Sequence, residues 1–164
     1  MTDVSIAKPK FVYVTYIAAA PEKVWEALTR ADISEKYWFG YRVCADGMAG
    51  DRMTAFNPAG KKAHDDPILE SDPPHRLVYG WKPLYKDMPD EQPSRVTFEL
   101  EPFKGHTKLT VVHDEFEEGS KIFGMISQGW PAVLSSLKSY LEIGNGLAPS
   151  WDGEARKRYA EESP

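Results

Sequence analysis

SKIFGMISQGWPAVLSSLKSYLEIG, residues 120–144, decides the fold. Phe123, Ile126, Trp130, Leu134 (with Val133), Leu137 and Leu141 recur every three to four residues as one apolar stripe. Ser135, Lys138 and Glu142 fall elsewhere on the surface. A helix from about Ser120 to Ile143 is roughly 35 Å long at about 1.5 Å per residue, enough to lie across a whole sheet. Gly144 closes it. Pro131 removes the bond to the Ser127 carbonyl, which predicts a kink or break near Ser127–Trp130.

What such a helix lies on is written upstream. RVTFELE (95–101) alternates, with Val96, Phe98 and Leu100 inward, and TKLTVVHDEF (107–116) alternates again, with Leu109, Val111 and His113 inward. The short Lys104-Gly105-His106 turn makes the two an antiparallel hairpin. RLVYGW (76–81) is a further strand with Leu77, Tyr79 and Trp81 on one face, and residues 62–71 another, ending at Ser71-Asp72-Pro73-Pro74. Residues 82–93, proline-rich and mixed in charge, read as an exposed loop. Gly47, Gly50 and Asp51 mark one turn and Asn57-Pro58-Ala59-Gly60 a second. At the start, KFVYVTYIA (10–18) is a strand with apolar residues on both faces, expected to be covered on both sides near one end. Pro21 then opens a helix, PEKVWEALT, with Val24, Trp25 and Leu28 buried. A second short helix, capped by Asp32, carries Ile33, Tyr37 and Trp38.

The order is strand, two short helices, five or six antiparallel strands and one long helix, an α+β architecture and not a doubly wound one. At 164 residues the chain fits one domain over 10–144, with an extension at 1–9 and a polar, mobile tail at 145–164. One cysteine, Cys44, excludes an internal disulfide and any cysteine-cluster zinc site. A net charge of −5 without a basic run argues against nucleic acid as a partner. No stretch reads as a signal peptide or membrane span, so a cytoplasmic protein with no membrane partner is expected. Twenty aromatic residues suit a cavity lined by rings, and suit ordinary packing as well.

Four stretches occur together in order: AAPEKVWEALT (19–29), SDPPHRLVYGW (71–81), HTKLT (106–110) and GWPAVLSSLKSYLEIG (129–144). Together they resemble the activator of heat-shock-protein-90 ATPase homologue family, within the START-like superfamily that also holds polyketide cyclases and the birch-pollen allergen fold. The similarity covers about residues 10–144. It implies the helix-grip fold, in which a curved sheet wraps a long C-terminal helix and leaves a cavity between them. It also implies a bacterial protein, since most stand-alone members of this type are bacterial. In the eukaryotic activator, chaperone stimulation depends on a separate N-terminal domain that these residues do not contain, so the family name does not settle function.

If the cavity exists, Trp38, Phe39, Tyr79, Trp81, Phe98, Phe123 and Trp130 are candidates to line it, each being equally suited to ordinary core. Arg52 shares a face with Thr54 and Phe56, and is the arginine best placed to meet a ligand carboxylate; Arg76 and Arg95 fall opposite their inward neighbours. His113, inward and next to Asp114-Glu115, is the candidate catalytic base or ligand contact, or else a core-edge histidine bonded to backbone or carboxylate. His64, Asp65 and Asp66 are a compact polar group expected at a solvated turn or edge, without the further ligands a metal needs. His75 and His106 are expected to be exposed. Ser135-x-x-Lys138 is a chance match to acyl-serine enzymes, whose other motifs are missing. No metal or cofactor is expected.

Three functions remain open. The first is binding of a small, largely hydrophobic or aromatic molecule. The second is an enzyme of the cyclase, dehydratase or hydrolase kind, with His113 moving a proton. The third is a chaperone-interacting module. A homodimer is compatible with each.

Overall fold

β1 (Phe11–Ile17) is the first element of the computed structural model, which describes residues 8–45, 49–147 and 153–162. The turn expected at Gly47, most of the N-terminal extension and part of the tail lie outside the described residues. α1 (Pro21–Thr29) and α2 (Ala31–Tyr37) follow, then β2 (Arg42–Ala45), β3 (Arg52–Phe56), β4 (Lys62–Asp72), β5 (Arg76–Trp81), β6 (Ser94–Phe103) and β7 (His106–Asp114). α3 (Lys121–Ile143) and α4 (Gly153–Glu162) complete the order. The strands form one antiparallel sheet in the order β1-β7-β6-β5-β4-β3-β2, curled into a half-barrel around α3. This is the helix-grip arrangement.

The sheet's register explains its core. Val96 faces His113, Phe98 faces Val111 and Leu100 faces Leu109 across β6 and β7, and all six are essentially inaccessible. α3 lays Ile122, Ile126, Trp130, Val133, Leu134 and Leu137 on this inner face. Each such side chain contributes about 1.5–3 kcal/mol when withdrawn from water. That packing acts on both sides of Pro131, and the helix runs through it without the expected break, although the proline costs one backbone bond. β1 corrects a second expectation. Only its odd face is turned inward, whereas Val12, Val14 and Tyr16 are about half exposed. On that face Tyr16 meets the Phe103 ring edge-on at 4.9 Å.

Two polar devices hold α3 and α2 in place. Glu91, buried in the loop after β5, accepts from the backbone N–H groups of Lys121 (2.9 Å) and Ile122 (3.2 Å) and from the Ser120 hydroxyl. Ser120 itself caps the helix by accepting from the Phe123 N–H at 3.1 Å. The carboxylate thus satisfies donors that the helix start leaves unpaired, and meets the positive end of its dipole. Glu91→Ala is expected to lower stability by about 2 kcal/mol. The amides of Lys121 and Ile122 would also lose hydrogen-exchange protection; unchanged protection there would disprove the clamp. On the other side, buried Ser34 of α2 accepts from the Val43 N–H at 2.7 Å and fixes the start of β2. Asp32 does not cap α2. Arg30 occupies the cap position and pairs with Asp32 in the first turn instead.

The expected mobile tail carries a helix. Arg156 of α4 donates to the Gly40 carbonyl (3.1 Å) and to Glu35 (3.1 Å), which joins α4 to the turn after α2. With a polar sequence throughout, this helix has no apolar stripe to betray its docking. The Arg156 guanidinium is one of its anchors, and Tyr159 reaches Tyr41 as another.

Candidate functional site

The grip leaves a cavity of about 310 Å³ between the first half of α3 and the β2–β5 end of the sheet. Its floor is the inner face of the strands: Val43, Met53, Ala55, Tyr79 and Trp81. Its roof is Met125, Ile126, Gly129, Trp130 and Val133 of α3. The side wall comes from the turn after α2. There Phe39 takes a left-handed backbone conformation (φ 50°) ahead of Gly40 (φ 81°). That reversal places Phe39 beside Trp38 on the cavity surface, at a cost of order 1 kcal/mol. Pro83, Tyr85 and Met88 of the loop after β5 close the rim, so the Glu91 clamp also positions part of the cavity wall. The Tyr41 and Tyr85 hydroxyls meet at 2.6 Å at this rim, and burial raises the pKa of both phenols.

Among the described residues, no lysine or arginine lines the cavity. Its polar end is His64 and Asp66. Asp66 is buried; one carboxylate oxygen accepts from the Lys82 backbone N–H at 3.0 Å, and the other lies 3.1 Å from His64 Nδ1. The His64 ring packs 4.6 Å from that of Trp81. These residues are not at a solvated edge, as their sequence suggested. Met53 pairs with Asp66 and Ala55 with His64, so His64, Asp66 and Ile68 share the inner face. A bulge at Ala63 sets this phase. The alternation His64–Asp66–Ile68 was readable, had the strand been phased from Ile68.

The same register turns Arg52 and Phe56 away from the cavity. Met53 and Ala55 take the interior, Arg52 is exposed in an ion pair with Asp65 (2.8 Å), and Phe56 lies beneath Lys62. Of the other residues singled out above, Trp38, Phe39, Tyr79, Trp81 and Trp130 stand on the cavity surface. Phe98, Phe123 and His113 form the layer behind it. Phe98 packs under Trp130 and Tyr79, and Phe123 against Phe116. Arg76 and Arg95 face outward in ion pairs with Glu99 and Asp114, and His75 and His106 are exposed.

His113 is wholly buried and its ring is fully engaged. The Trp130 indole N–H, which can only donate, reaches His113 Nδ1 at 3.0 Å. The ring proton therefore sits on Nε2, which donates to the Ser94 hydroxyl at 2.7 Å, and Ser94 donates onward to the Trp81 carbonyl at 3.2 Å. Burial lowers the His113 pKa to about 3, Asp114 opposing it only in part. With no lone pair left and no access to the cavity, His113 is built as a neutral structural hub. The geometry gives it no route to act as the base proposed from sequence.

Among the described residues, no group of three histidine, cysteine or acidic side chains could hold a metal ion, and no helix is long and apolar enough to cross a membrane.

The sequence matches the family described as Activator of Hsp90 ATPase homolog 1-like protein over residues 18–142. Among solved structures, it is similar to protein MLL2253 from Mesorhizobium loti, with 27% identity and a TM-score of 0.70 over 82% of this chain and 97% of that one. It is also similar to the Aha1 dimer from Colwellia psychrerythraea, with 25% identity and a TM-score of 0.67 over 84% and 99%. CalU16 from Micromonospora echinospora shares the fold at 20% identity and a TM-score of 0.64, over 93% and 82%. No curated protein matches the sequence.

Proposed function

The chain belongs to the Activator of Hsp90 ATPase homolog 1-like family, and from that premise we propose that it binds a small, uncharged, largely aromatic molecule between the sheet and α3. The observation that carries this reading is the lining of the cavity. Three tryptophans (Trp38, Trp81 and Trp130) converge with Tyr79 and Phe39 on a space of about 310 Å³. That volume lies at the lower end of ligand pockets and suits a molecule of two fused rings better than a long lipid. Flat rings gain most from aromatic walls, through offset and edge contacts of about 0.5–1.5 kcal/mol each beyond area burial. The missing cationic side chains leave an anionic group without a partner, and a buried unpaired charge is costly.

Binding is read from quenching of the cavity tryptophans during titration with 2-methylnaphthalene. The expected result is saturable binding at one site. Ala55→Phe, which extends a ring from the β3 floor into the space, is expected to abolish it while leaving the circular dichroism spectrum native. No saturable signal from this probe or from other two-ring hydrocarbons would sink the reading.

A further inference from the structure

Two polar groups on the cavity surface have no use inside the protein. The first is His64 Nε2. Nδ1 is committed to Asp66, and a carboxylate only accepts, so in the neutral ring Nδ1 carries the proton and Nε2 is a bare acceptor. Among the described residues nothing donates to it. The second is the Tyr79 hydroxyl. Tyr79 is only 3% exposed, yet among the described residues its O–H has no hydrogen-bond partner. A buried hydroxyl without a partner costs about 1–3 kcal/mol, and native proteins seldom leave one so. Both residues line the cavity, and Asp66 acts on each, through its hydrogen bond to His64 and through its charge on the Tyr79 phenol. Burial, and after it the Asp66 charge, raises the pKa of the Tyr79 phenol, so Tyr79 stays a donor.

A spare acceptor and a spare donor, both linked to Asp66 in an apolar chamber, are the complement of one chemical group. Resting on the ligand-binding reading above, we propose that His64 and Tyr79 recognise a single neutral hydroxyl, so that the ligand is a phenol or aromatic alcohol. The ligand O–H donates to His64 Nε2, and its oxygen accepts from the Tyr79 hydroxyl. Asp66 acts as a positioning residue, holding the imidazole in the tautomer that leaves Nε2 free. A carboxylate ligand would meet the Asp66 charge with no cation to offset it. An ammonium ligand would have to share Asp66 with the Lys82 N–H and His64, which each already hold one of its oxygens.

The test is a matched series on the naphthalene frame, measured by equilibrium dialysis at one pH: 2-naphthol, 2-methylnaphthalene, 2-methoxynaphthalene, 2-naphthoate and 2-naphthylmethylamine. The expected result is that 2-naphthol binds about tenfold or more tighter than 2-methylnaphthalene. The methyl ether, which accepts but cannot donate, falls between them, and the acid is weakest. Tyr79→Phe and His64→Leu each bring the ratio of 2-naphthol to 2-methylnaphthalene affinity toward one, and a native circular dichroism spectrum shows that the variants fold. Equal affinity of wild-type protein for naphthol and methylnaphthalene would overturn the hydroxyl site and leave the apolar pocket standing. Tightest binding of the amine would overturn it in favour of a cation on Asp66. Binding of none of the series would remove the pocket reading, and the hydroxyl site with it.

Discussion

Acidification from pH 7 to pH 5 destabilises the fold by about 2 kcal/mol through His113 alone. The unfolded chain holds this histidine near its ordinary pKa of 6.5, whereas burial lowers it to about 3 in the folded protein. The folded value is depressed, so the stability it contributes is fully present above pH 6.5. It drains away as pH falls toward 3, because the unfolded state takes up a proton that the folded state refuses. The two values stand about three and a half pH units apart, equivalent to roughly 5 kcal/mol by the bottom of that window. That is a large share of the stability of an ordinary domain. Urea unfolding at pH 7, 6 and 5 measures the slope. His113→Leu is expected to be less stable at pH 7, having left Trp130 and Ser94 without their partner, and to lose the slope over this range. A variant with the wild-type slope would show that the acid sensitivity arises elsewhere. Below about pH 4.5 other groups enter. Glu142 and Asp65, both held below the usual carboxylate range by hydrogen bonds from Lys138 and Arg52, then begin to add their own terms.

His113 also marks where reading the sequence succeeds and where it stops. Alternation with Leu109 and Val111 placed it on the inner face, and the β6–β7 register puts it opposite Val96. Alternation carries no information on partners. What separates a base from a hub is the Trp130 indole, contributed by another element 17 residues on. The long amphipathic helix and the β6–β7 hairpin were legible because each has one apolar face and clear turn chemistry. β3 and β4 were not. Arg52-Met53-Thr54-Ala55-Phe56 has a plausible residue on either face, and its phase is fixed only by pairing with a bulged neighbour. That single ambiguity put Arg52 inside and His64 and Asp66 outside, the reverse of their places. The Glu91 clamp was equally hidden, since a loop glutamate that caps a helix 30 residues away has no local signature.

Trp130→Ala is expected to cost about 3–5 kcal/mol, the range for removing a buried large aromatic side chain. The ring is 5% exposed and makes edge contacts with Trp38 and Phe98, each at 5.8 Å. Its loss would also open the cavity into the layer that holds His113. Trp130→Phe separates packing from hydrogen bonding. A phenyl ring keeps most of the contacts but leaves His113 Nδ1 buried without a donor, at about 1–3 kcal/mol. Calorimetric unfolding of both variants, with His113→Leu and the Trp130→Phe, His113→Leu double variant, isolates the indole–imidazole bond as a coupling energy. Additive losses would mean that the bond contributes nothing, and that Trp130 matters only as volume. Coupling of 1 kcal/mol or more would tie the cavity wall to the hub. A ligand resting on Trp130 would then press on a ring whose other edge is fixed by His113, and any ligand that binds the folded state would raise the unfolding temperature with the logarithm of its free concentration over its dissociation constant. In Trp130→Phe, where that wall is smaller and no longer anchored to His113, the same ligand should bind more weakly.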